Sequence, residues 1–411
     1  MGGLLLPVVD AAMLPVIGSP GVVEEFAGFF RRIFSWHQFR RFKQYLSGLI
    51  TGGKATVRRI ASRLVEHADQ SSLNRFLTLY EWDEERLNGE RLDLLQSLEE
   101  TNWRREGVVA IDDTLLPKRG RKMPGAGKLF DHSSGRYVHA QCLVTSHYVD
   151  LDRDYPLGLR QYFKHGSREA GENGFKTKME LAVELVDECE EMGVAAENYV
   201  FDAWFLSREL AGHVEAHGKG WVSRLKSNRI VHTGEGSASV GEWAESLPRE
   251  AFKEVQALGR RYWVHTQVLE VNRLGRVRVV ACHDNPGLDG ETTYLATSRL
   301  YWEERRIIEA YGLRFRIDNF YKDAKQNLGL GGCNLRSLRG TRRHWQLGIL
   351  GYSLLRARIC RSRLYRRVRS DQTIGAECRQ AFMDLLQNLI QWVYSNSDRL
   401  PLEKIQDVIL R

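Results

Sequence analysis

The chain has 411 residues, of which 43% are hydrophobic, 27% are charged and 10% are aromatic. This composition is typical of folded proteins and excludes an intrinsically disordered chain. At roughly 150 residues per domain, the length predicts two or three domains. The 60 Lys and Arg residues exceed the 52 Asp and Glu residues and give a net charge of +8, whose meaning depends on where the excess lies.

The six cysteines and the apolar start of the chain bear on its compartment. No two cysteines form a Cys-x-x-Cys pair, which argues against a zinc knuckle or a disulfide framework and indicates a reducing compartment. Residues 2–18 contain Pro7, Asp10 and Pro15 and lack a basic leader, so they resemble neither a signal peptide nor a membrane span. We therefore expect a cytoplasmic protein without a membrane partner.

The first hundred residues have a helical pattern. Apolar residues recur three and four apart, as at Phe26 and Phe29, which predicts a helical N-terminal DNA-binding domain over residues 1–105. Residues 56–65 and 71–77 would form two short basic helices, an arrangement that suits DNA reading. An ordinary amphipathic bundle with a solvated arginine face is the alternative.

An α/β core is predicted over residues 106–229. The buried run 108–114 ends in two acids, and strands over 137–146 and near 148–151 would continue as a meander. Helix and strand patterns then alternate, as a helix over 176–192, a strand over 199–202, a helix over 207–217 and a strand over 220–225. Such alternation is typical of a mixed α/β sheet.

A β-rich insertion is predicted over residues 230–290, because this segment interrupts the alternation. It contains a β-hairpin with strands at 261–271 and 276–282. The core is expected to resume over residues 291–370, and a helical region is expected over residues 371–411.

Aspartates stand at two strand ends and in a later helix. Asp112 and Asp113 end the first strand, Asp202 ends a later strand, and Asp318 lies in a long helix that begins near Trp302. Strand-end carboxylates of an α/β sheet point into the crevice where ligands bind, and several together require a cation such as Mg²⁺ or Mn²⁺. Two such ions would serve phosphodiester cleavage. Because neighbouring strand residues face opposite sides, only one of Asp112 and Asp113 can be a ligand without a bulge.

Four residues of the long helix share one face, which we call the stripe. Tyr311, Arg314, Asp318 and Lys325 follow one another at offsets of 0, 3, 7 and 14, and about 100° per residue brings them together. Arginine can bind a phosphate through two hydrogen bonds, lysine and tyrosine can bind other phosphate oxygens, and Asp318 can complete the metal site. A solvated charged face is the alternative.

The stripe resembles the signature of the cut-and-paste DDE transposases of prokaryotic insertion sequences, which have Tyr, Arg, Glu and Lys at this spacing. Asp113 directly before Thr114 is similar to the family's first catalytic aspartate, with Asp112 as the alternative. Asp202 is similar to the second aspartate, and Arg224 lies in a segment that resembles the family's next basic strand.

The resemblance covers about residues 108–355 and implies both a fold and an activity. The fold would be α/β, a ribonuclease H-like mixed sheet flanked by helices, with a β-rich insertion and a helical N-terminal domain. The protein would be an insertion-sequence transposase that binds terminal inverted repeats of double-stranded DNA, cleaves there and joins the ends to target DNA. Asp113, Asp202 and Asp318 would hold two Mg²⁺ or Mn²⁺ ions. A homodimer on DNA and association with the nucleoid are also implied.

Two alternatives use the same residues. A ribonuclease H-like nuclease without strand transfer would share the acids. A catalytically inactive DNA-binding descendant is the second, because the family normally has Glu at the position of Asp318. The missing methylene shortens this side chain by about 1.5 Å.

The positive charge is concentrated directly after the stripe. Residues 326–370 contain eleven arginines and no acidic residue, so the rest of the chain is net acidic. Arg336, Arg342 and Arg343 lie where DNA leaving the site would need neutralisation, which predicts that they contact phosphates. The alternative is an arginine-rich helix that serves folding, and the apolar run 347–355 is predicted to be core.

Overall fold

The computed structural model describes residues 15–52, 56–65, 69–234, 236–366 and 372–409. The described residues therefore leave out residues 2–14 of the apolar start and Arg367 and Arg369 of the basic segment. The expectations stated for these residues lie outside the described part of the chain.

The helices of the described residues are, in chain order, α1 (Gly21–Ala27), α2 (Trp36–Gly52), α3 (Val57–Ala61), α4 (Gln70–Thr78), α5 (Glu84–Ser97), α6 (Arg168–Asn173), α7 (Lys178–Glu191), α8 (Arg208–Ala216), α9 (Val240–Glu245), α10 (Glu304–Leu313), α11 (Phe315–Asn327), α12 (Leu338–Arg366), α13 (Ile374–Asn396) and α14 (Leu402–Ile409). Two short 3₁₀ helices are Gly28–Ile33 and Arg249–Ala251. None of the helices in these ranges is both long and apolar enough to cross a membrane.

The strands of the described residues are β1 (Val108–Pro117), β2 (Gly127–Asp131), β3 (Arg136–Val149), β4 (Asp154–Tyr162), β5 (Asn198–Phe201), β6 (Gly220–Arg224), β7 (Ile230–Thr233), β8 (Gly236–Ser239), β9 (Lys253–Ala257), β10 (Arg260–Val271), β11 (Gly275–His283) and β12 (Thr293–Thr297).

The chain divides into two compact units. The first consists of the described parts of Met1–Asn102, Leu116–Gln141 and Phe320–Arg411. The second consists of the described parts of Trp103–Leu115 and Cys142–Asn319.

The first unit is a helical assembly around α12. This helix of 29 residues packs against α2, α4, α5 and α13. Its side chains Trp345, Leu350 and Leu354 are fully buried, so the apolar run predicted as core is confirmed as core. Burial of large apolar side chains of this kind is the main source of folding free energy. The strand β2 and the first residues of β3 form an antiparallel hairpin in this unit.

The two short basic helices predicted in the N-terminal segment are confirmed as α3 and α4. Each begins after a residue whose side chain accepts a hydrogen bond from the first turn: Thr56 accepts from the backbone N–H of Arg59, and Asp69 from that of Ser72. Such caps satisfy donors that have no partner within the helix and therefore fix where the helix starts.

The second unit is built on a mixed sheet. Its strands lie in the order β3-β1-β5-β6-β12-β11-β10-β7-β8, with β4 beside β3 and β9 beside β10. The strands β1, β5 and β6 are parallel, and β12, β11 and β10 continue the sheet in antiparallel fashion. Helices α7, α8 and α10 pack on these strands. The predicted fold class, an α/β ribonuclease H-like mixed sheet flanked by helices, is confirmed.

The predicted β-hairpin is confirmed as β10 and β11. Val271 pairs with Gly275 at its turn, where Arg273 and Gly275 have φ values of 66° and 76°. The hairpin is joined to the core through β12, so the predicted insertion extends the main sheet rather than standing apart from it.

The prediction of a separate strand near residues 148–151 is wrong. The strand β3 continues to Val149, and the chain then turns at Asp150, whose carboxylate accepts the backbone N–H groups of Asp152 and Arg153. The partner strand β4 begins only at Asp154. An aspartate that bonds to the backbone two and three residues later is typical of a tight turn.

Candidate active site

Asp112 and Asp202 each come directly after the residues at which β1 and β5 pair in parallel. The strand β1 itself continues to Pro117, so the prediction that Asp112 and Asp113 end the first strand is wrong. The last pair between β1 and β5 joins Ile111 to Phe201, so the next residue on each strand is an aspartate. Neighbouring strands lie about 4.8 Å apart, and the register therefore brings the two aspartates to the same edge of the sheet. Both are half-buried.

The Asp202 carboxylate is held by the turn that follows β5. Its Oδ1 accepts the backbone N–H of Trp204 at 2.8 Å and that of Phe205 at 3.0 Å. The Trp204 side chain is exposed and Phe205 is buried, so the turn is anchored on one side only. Two hydrogen bonds on one oxygen fix the orientation of the carboxylate beside the strand end.

The helix that carries the stripe is broken at Arg314, so the prediction of one continuous helix is wrong. The helix α10 ends at Leu313 and α11 begins at Phe315. At the break, the Arg314 N–H donates to the carbonyl of Tyr311, three residues back, at 3.0 Å. A bond of this kind tightens the turn, so the phase of a straight helix does not carry through to Lys325.

Arg314 connects the first strand-end acid with Asp318. Its Nη1 donates to Asp112 Oδ2 at 2.5 Å, and its Nη2 lies 3.7 Å from Asp318 Oδ2. The Arg314 and Asp112 side chains are largely buried, whereas the Asp318 side chain is 52% exposed. The guanidinium thus lies between a buried carboxyl and one that faces solvent.

The electrostatics show that the acids act on one another. Burial raises the pKa of Asp112 to about 7; Arg314 opposes this, and the carboxylates of Asp202 and Asp113 add to it. Burial lowers the pKa of Arg314, but Asp112, Tyr311, Asp318 and Asp202 together raise it above its ordinary value. Burial raises the pKa of Tyr311, which Arg314 partly offsets. Burial is thus the largest influence on the pKa of each of these three groups, and their charged neighbours act on top of it.

Asp113 has different neighbours from Asp112. Its carboxylate accepts from Lys178 Nζ at 2.8 Å and from the Cys142 thiol at 3.4 Å, while its backbone N–H donates to Asp112 Oδ1 at 2.8 Å. Adjacent strand residues point to opposite sides, which explains the separation of the two side chains. Which of them binds metal stays a prediction, and these contacts favour Asp112.

Lys178 and Trp204 are two residues near the acids that the sequence analysis did not single out. Lys178 is the first residue of α7, directly after the N-cap residue Thr177, and its Nζ lies 5.1 Å from the centroid of the Trp204 ring. Thr177 and Glu180 form a capping box at this helix start. Burial lowers the pKa of Lys178, but Cys142 and Asp113 raise it above its ordinary value. The capping box was a usable signal for the helix start, but the contact with Asp113 depends on tertiary structure.

The predicted phosphate-binding residue Lys325 lies in the last turn of α11, with its Nζ 5.9 Å from the centroid of the Tyr321 ring. Arg224 ends β6 and forms a 2.6 Å ion pair with Glu291, in which both side chains are substantially exposed. Little free energy is needed to separate such an exposed ion pair, so Arg224 could still bind a phosphate. Its role as a DNA contact stays a prediction.

The prediction that Arg343 contacts DNA is corrected by the structure. The side chain is buried and donates to the backbone carbonyls of Leu77, Tyr80 and Trp82, while its Nε lies 3.2 Å from Glu84. Its donors are therefore used within the first unit. Loss of the Arg343 side chain would leave these carbonyl groups without this hydrogen-bond donor in the interior, which is unfavourable for folding. Arg343 therefore has a structural role.

Other arginines of the basic segment divide between folding and the surface. Arg356 is buried and donates to the Tyr352 hydroxyl, and Arg361 forms ion pairs with Glu25 and Glu100. Arg336 is exposed and Arg342 is half-buried, so their predicted phosphate contacts stay predictions. The alternative of an arginine-rich helix that serves folding thus explains part of the segment.

The donor chemistry of the acids suits a divalent cation, although among the described residues their ligand atoms do not all lie within 4.8 Å of one another. Asp112, Asp202 and Asp318 offer hard oxygen ligands, which suit Mg²⁺ and Mn²⁺. A cation bound beside Asp112 would favour its ionised form and so oppose the burial that raises its pKa.

Fold and site together define an α/β protein of the ribonuclease H type, with aspartates at adjacent strand ends and a third acid in a following helix. Residues 29–240 match the family described as DDE superfamily endonuclease, and residues 169–354 match the Transposase DDE domain. A relative from Microchaete diplosiphon is 25% identical over 331 residues, which span 77% of this chain and 82% of that protein. It is described as a probable transposase for insertion sequence element IS701. The chain belongs to the DDE superfamily of endonucleases and is an insertion-sequence DDE transposase, as the resemblance implied.

Proposed function

We propose that this transposase binds the terminal inverted repeats of its own element, cleaves the phosphodiester bond at their ends and joins the freed 3′-hydroxyl to target DNA. The observation that carries the proposal is the contact of Arg314 with Asp112 and Asp318, beside Asp202 on the neighbouring strand. The proposal includes a homodimer on double-stranded DNA, and a cytoplasmic protein that associates with the nucleoid when bound to DNA.

In this proposal Asp112, Asp202 and Asp318 hold two Mg²⁺ or Mn²⁺ ions. Such ions, when bound, supply Lewis-acid stabilisation of the attacking and leaving oxygens of a phosphodiester. Asp112 takes the place predicted for Asp113 because its carboxyl contacts Arg314 and is coupled to Asp202. Asp113 acts as a positioning residue, since its backbone N–H donates to Asp112.

In this proposal, basic and aromatic groups of the chain bind the DNA end. Arg314 and Tyr311 bind phosphate oxygens, with Lys325 and Arg224 as further phosphate contacts. The exposed indole of Trp204 follows the Asp202 turn and offers a face on which an unpaired base can stack.

A labelled duplex that ends in the element's own terminal repeat tests the proposal. In the presence of Mg²⁺ and a target plasmid, the wild-type protein is expected to yield both nicked ends and joined products. Asp202→Ala should retain DNA binding and lose both products, whereas equal loss of binding would give Asp202 a structural role. Nicks without joined products would favour a nuclease without strand transfer, and binding without Mg²⁺-dependent cleavage would favour an inactive descendant.

A further inference from the structure

A second group of metal-ligand side chains lies on α7 and α8. Asp187 of α7 stands beside His213 and His217, which lie at the carboxyl-terminal end of α8. One ligand atom from each residue lies within 4.8 Å of the other two. Among the described residues, this is the one group of three histidine, cysteine or acidic side chains whose ligand atoms come this close together. The two helices pack against each other in the second unit.

The three ligand atoms converge on one point of the surface. Asp187 Oδ1 lies 2.7 Å from His213 Nε2 and 3.1 Å from His217 Nε2. Histidines four residues apart project from the same side of a helix, so the pair is preorganised by α8 itself. The three side chains are 30% to 42% exposed, and an ion can therefore reach them from solvent.

Two imidazole nitrogens and one carboxylate oxygen are the ligands that Zn²⁺ prefers, and they differ from the all-oxygen set of the acids at the strand ends. Zinc–ligand bonds of about 2.0–2.2 Å in a tetrahedron separate the ligand atoms by roughly 3.3 Å. The separations of Asp187 from His213 and His217 would thus open by roughly 0.6 Å and 0.2 Å, which side-chain rotation allows. Three protein ligands would leave one position for water.

The group is separate from the candidate active site. Asp187 follows Lys178, the neighbour of Asp113, by nine residues, which is about 13.5 Å of helix rise. An ion bound there would therefore join α7 to α8 well away from the strand-end acids.

We propose that Asp187, His213 and His217 form a transition-metal site of the Zn²⁺ type, in which the ion clips the carboxyl-terminal end of α8 to α7. Binding that favours the folded chain raises its stability, so the site has a structural role. This inference does not depend on the transposition chemistry, because metal binding at this site needs no DNA.

The test is a Zn²⁺ titration of the full-length protein, in competition with a chromophoric chelator and with excess Mg²⁺ present to occupy oxygen-only sites. One Zn²⁺ per chain is expected for the wild type. His213→Gln and His217→Gln should each weaken binding at least about ten-fold. His232→Gln, which removes an exposed histidine of β7 in the same unit, is the matched control and should bind like the wild type.

Two further measurements separate a site from a simple hydrogen-bonded pair of histidines and aspartate. Co²⁺ in place of Zn²⁺ should give the visible absorption of a four-coordinate site in the wild type and not in the variants. Zn²⁺ should raise the Tm of the wild type but not that of His213→Gln, whose circular dichroism without metal verifies that it folds. Absence of stoichiometric Zn²⁺ binding in the wild type, or equal binding by the wild type and both histidine variants, would overturn the proposal.

Discussion

Arg314 donates a 2.5 Å hydrogen bond to Asp112, a residue 202 positions earlier in the chain. The contact joins the end of the parallel-paired part of β1 to the break between α10 and α11. The two side chains are 12% and 13% exposed, so the charges are largely desolvated. Loss of Arg314 would remove a cation from a buried carboxyl, which is unfavourable, whereas loss of Asp112 would leave Arg314 with Asp318 as its nearby carboxylate. The guanidinium that contacts β1 is thus supplied from the residue at which the helix is broken.

The first prediction separates the two adjacent aspartates. Asp112→Asn should reduce cleavage of an end-containing duplex by roughly 1,000-fold or more, as expected for loss of an essential group in an active site. Asp113→Asn should reduce it by only about ten-fold, because the backbone N–H that donates to Asp112 is retained and the side chain contacts Lys178 rather than the reacting groups. Single-turnover cleavage rates with Mg²⁺ provide the measurement.

The free energy of unfolding of Asp113→Asn is the control for this comparison. Asp113→Asn leaves the Lys178 ammonium without its carboxylate partner, so we expect the free energy of unfolding to fall by about 1–3 kcal/mol. If Asp113→Asn abolished cleavage while Asp112→Asn cleaved like the wild type, the assignment of the two residues would have to be exchanged.

The second prediction concerns the shape of the Arg314 cation. Lysine keeps the charge but has a single nitrogen, and it cannot face Asp112 and Asp318 with separate donors as Nη1 and Nη2 do. Arg314→Lys should slow cleavage at least about ten-fold. Arg305→Lys is the matched control, because Arg305 forms an exposed ion pair with Glu309 on α10. Equal rates for the two lysine variants would show that only the charge of Arg314 matters.

The third prediction tests the departure from the family signature. The Asp318 side chain is 52% exposed, so the additional methylene of Asp318→Glu has space, and the carboxylate would reach about 1.5 Å further. We expect this variant to cleave within about ten-fold of the wild type, with unfolding free energy unchanged within about 0.5 kcal/mol. Asp318→Asn should lose at least about 100-fold in cleavage rate. Wild-type cleavage by Asp318→Asn would remove this residue from the metal site.

The elements that the sequence predicted well are those set by local pattern. The hairpin of β10 and β11 follows from alternating residues around a turn, and α7 lies within the helix predicted over residues 176–192. The neighbourhood of Asp112 and Asp202 follows from two parallel-paired runs that are each followed by an acid. In these cases one short segment contains all the information that the prediction requires.

The parts that could not be predicted depend on contacts between distant segments. Alternation along a strand separates Asp112 from Asp113 but does not tell which side receives Arg314. The burial of Arg343 depends on carbonyl groups more than 260 positions earlier in the chain, so its composition-based assignment to DNA was wrong. The partners of a charged segment cannot be predicted from its composition, because they depend on contacts that form only in the folded chain.

The fourth prediction concerns acid stability and the buried imidazole of His344. Its Nε2 lies 2.9 Å from the carbonyl oxygen of Gly329, which can only accept, so Nε2 carries the hydrogen. Its Nδ1 therefore accepts from the Tyr45 hydroxyl at 2.8 Å. Burial lowers the pKa of His344 to about 4; the Gly329 carbonyl opposes this, and Lys118 adds to it.

The folded chain thus takes up this proton only near pH 4, whereas the unfolded chain does so near its ordinary pKa of 6.5. The free energy of unfolding is fully retained above pH 6.5 and falls as the pH drops towards 4. Between pH 7 and pH 5 this one residue should account for a loss of about 2 kcal/mol. Urea unfolding of the wild type and of His344→Gln at the two pH values measures it, with the exposed His37→Gln as the control. The loss should be smaller by that amount in His344→Gln alone, and equal losses in all three proteins would mean that His344 is protonated without cost in the folded chain.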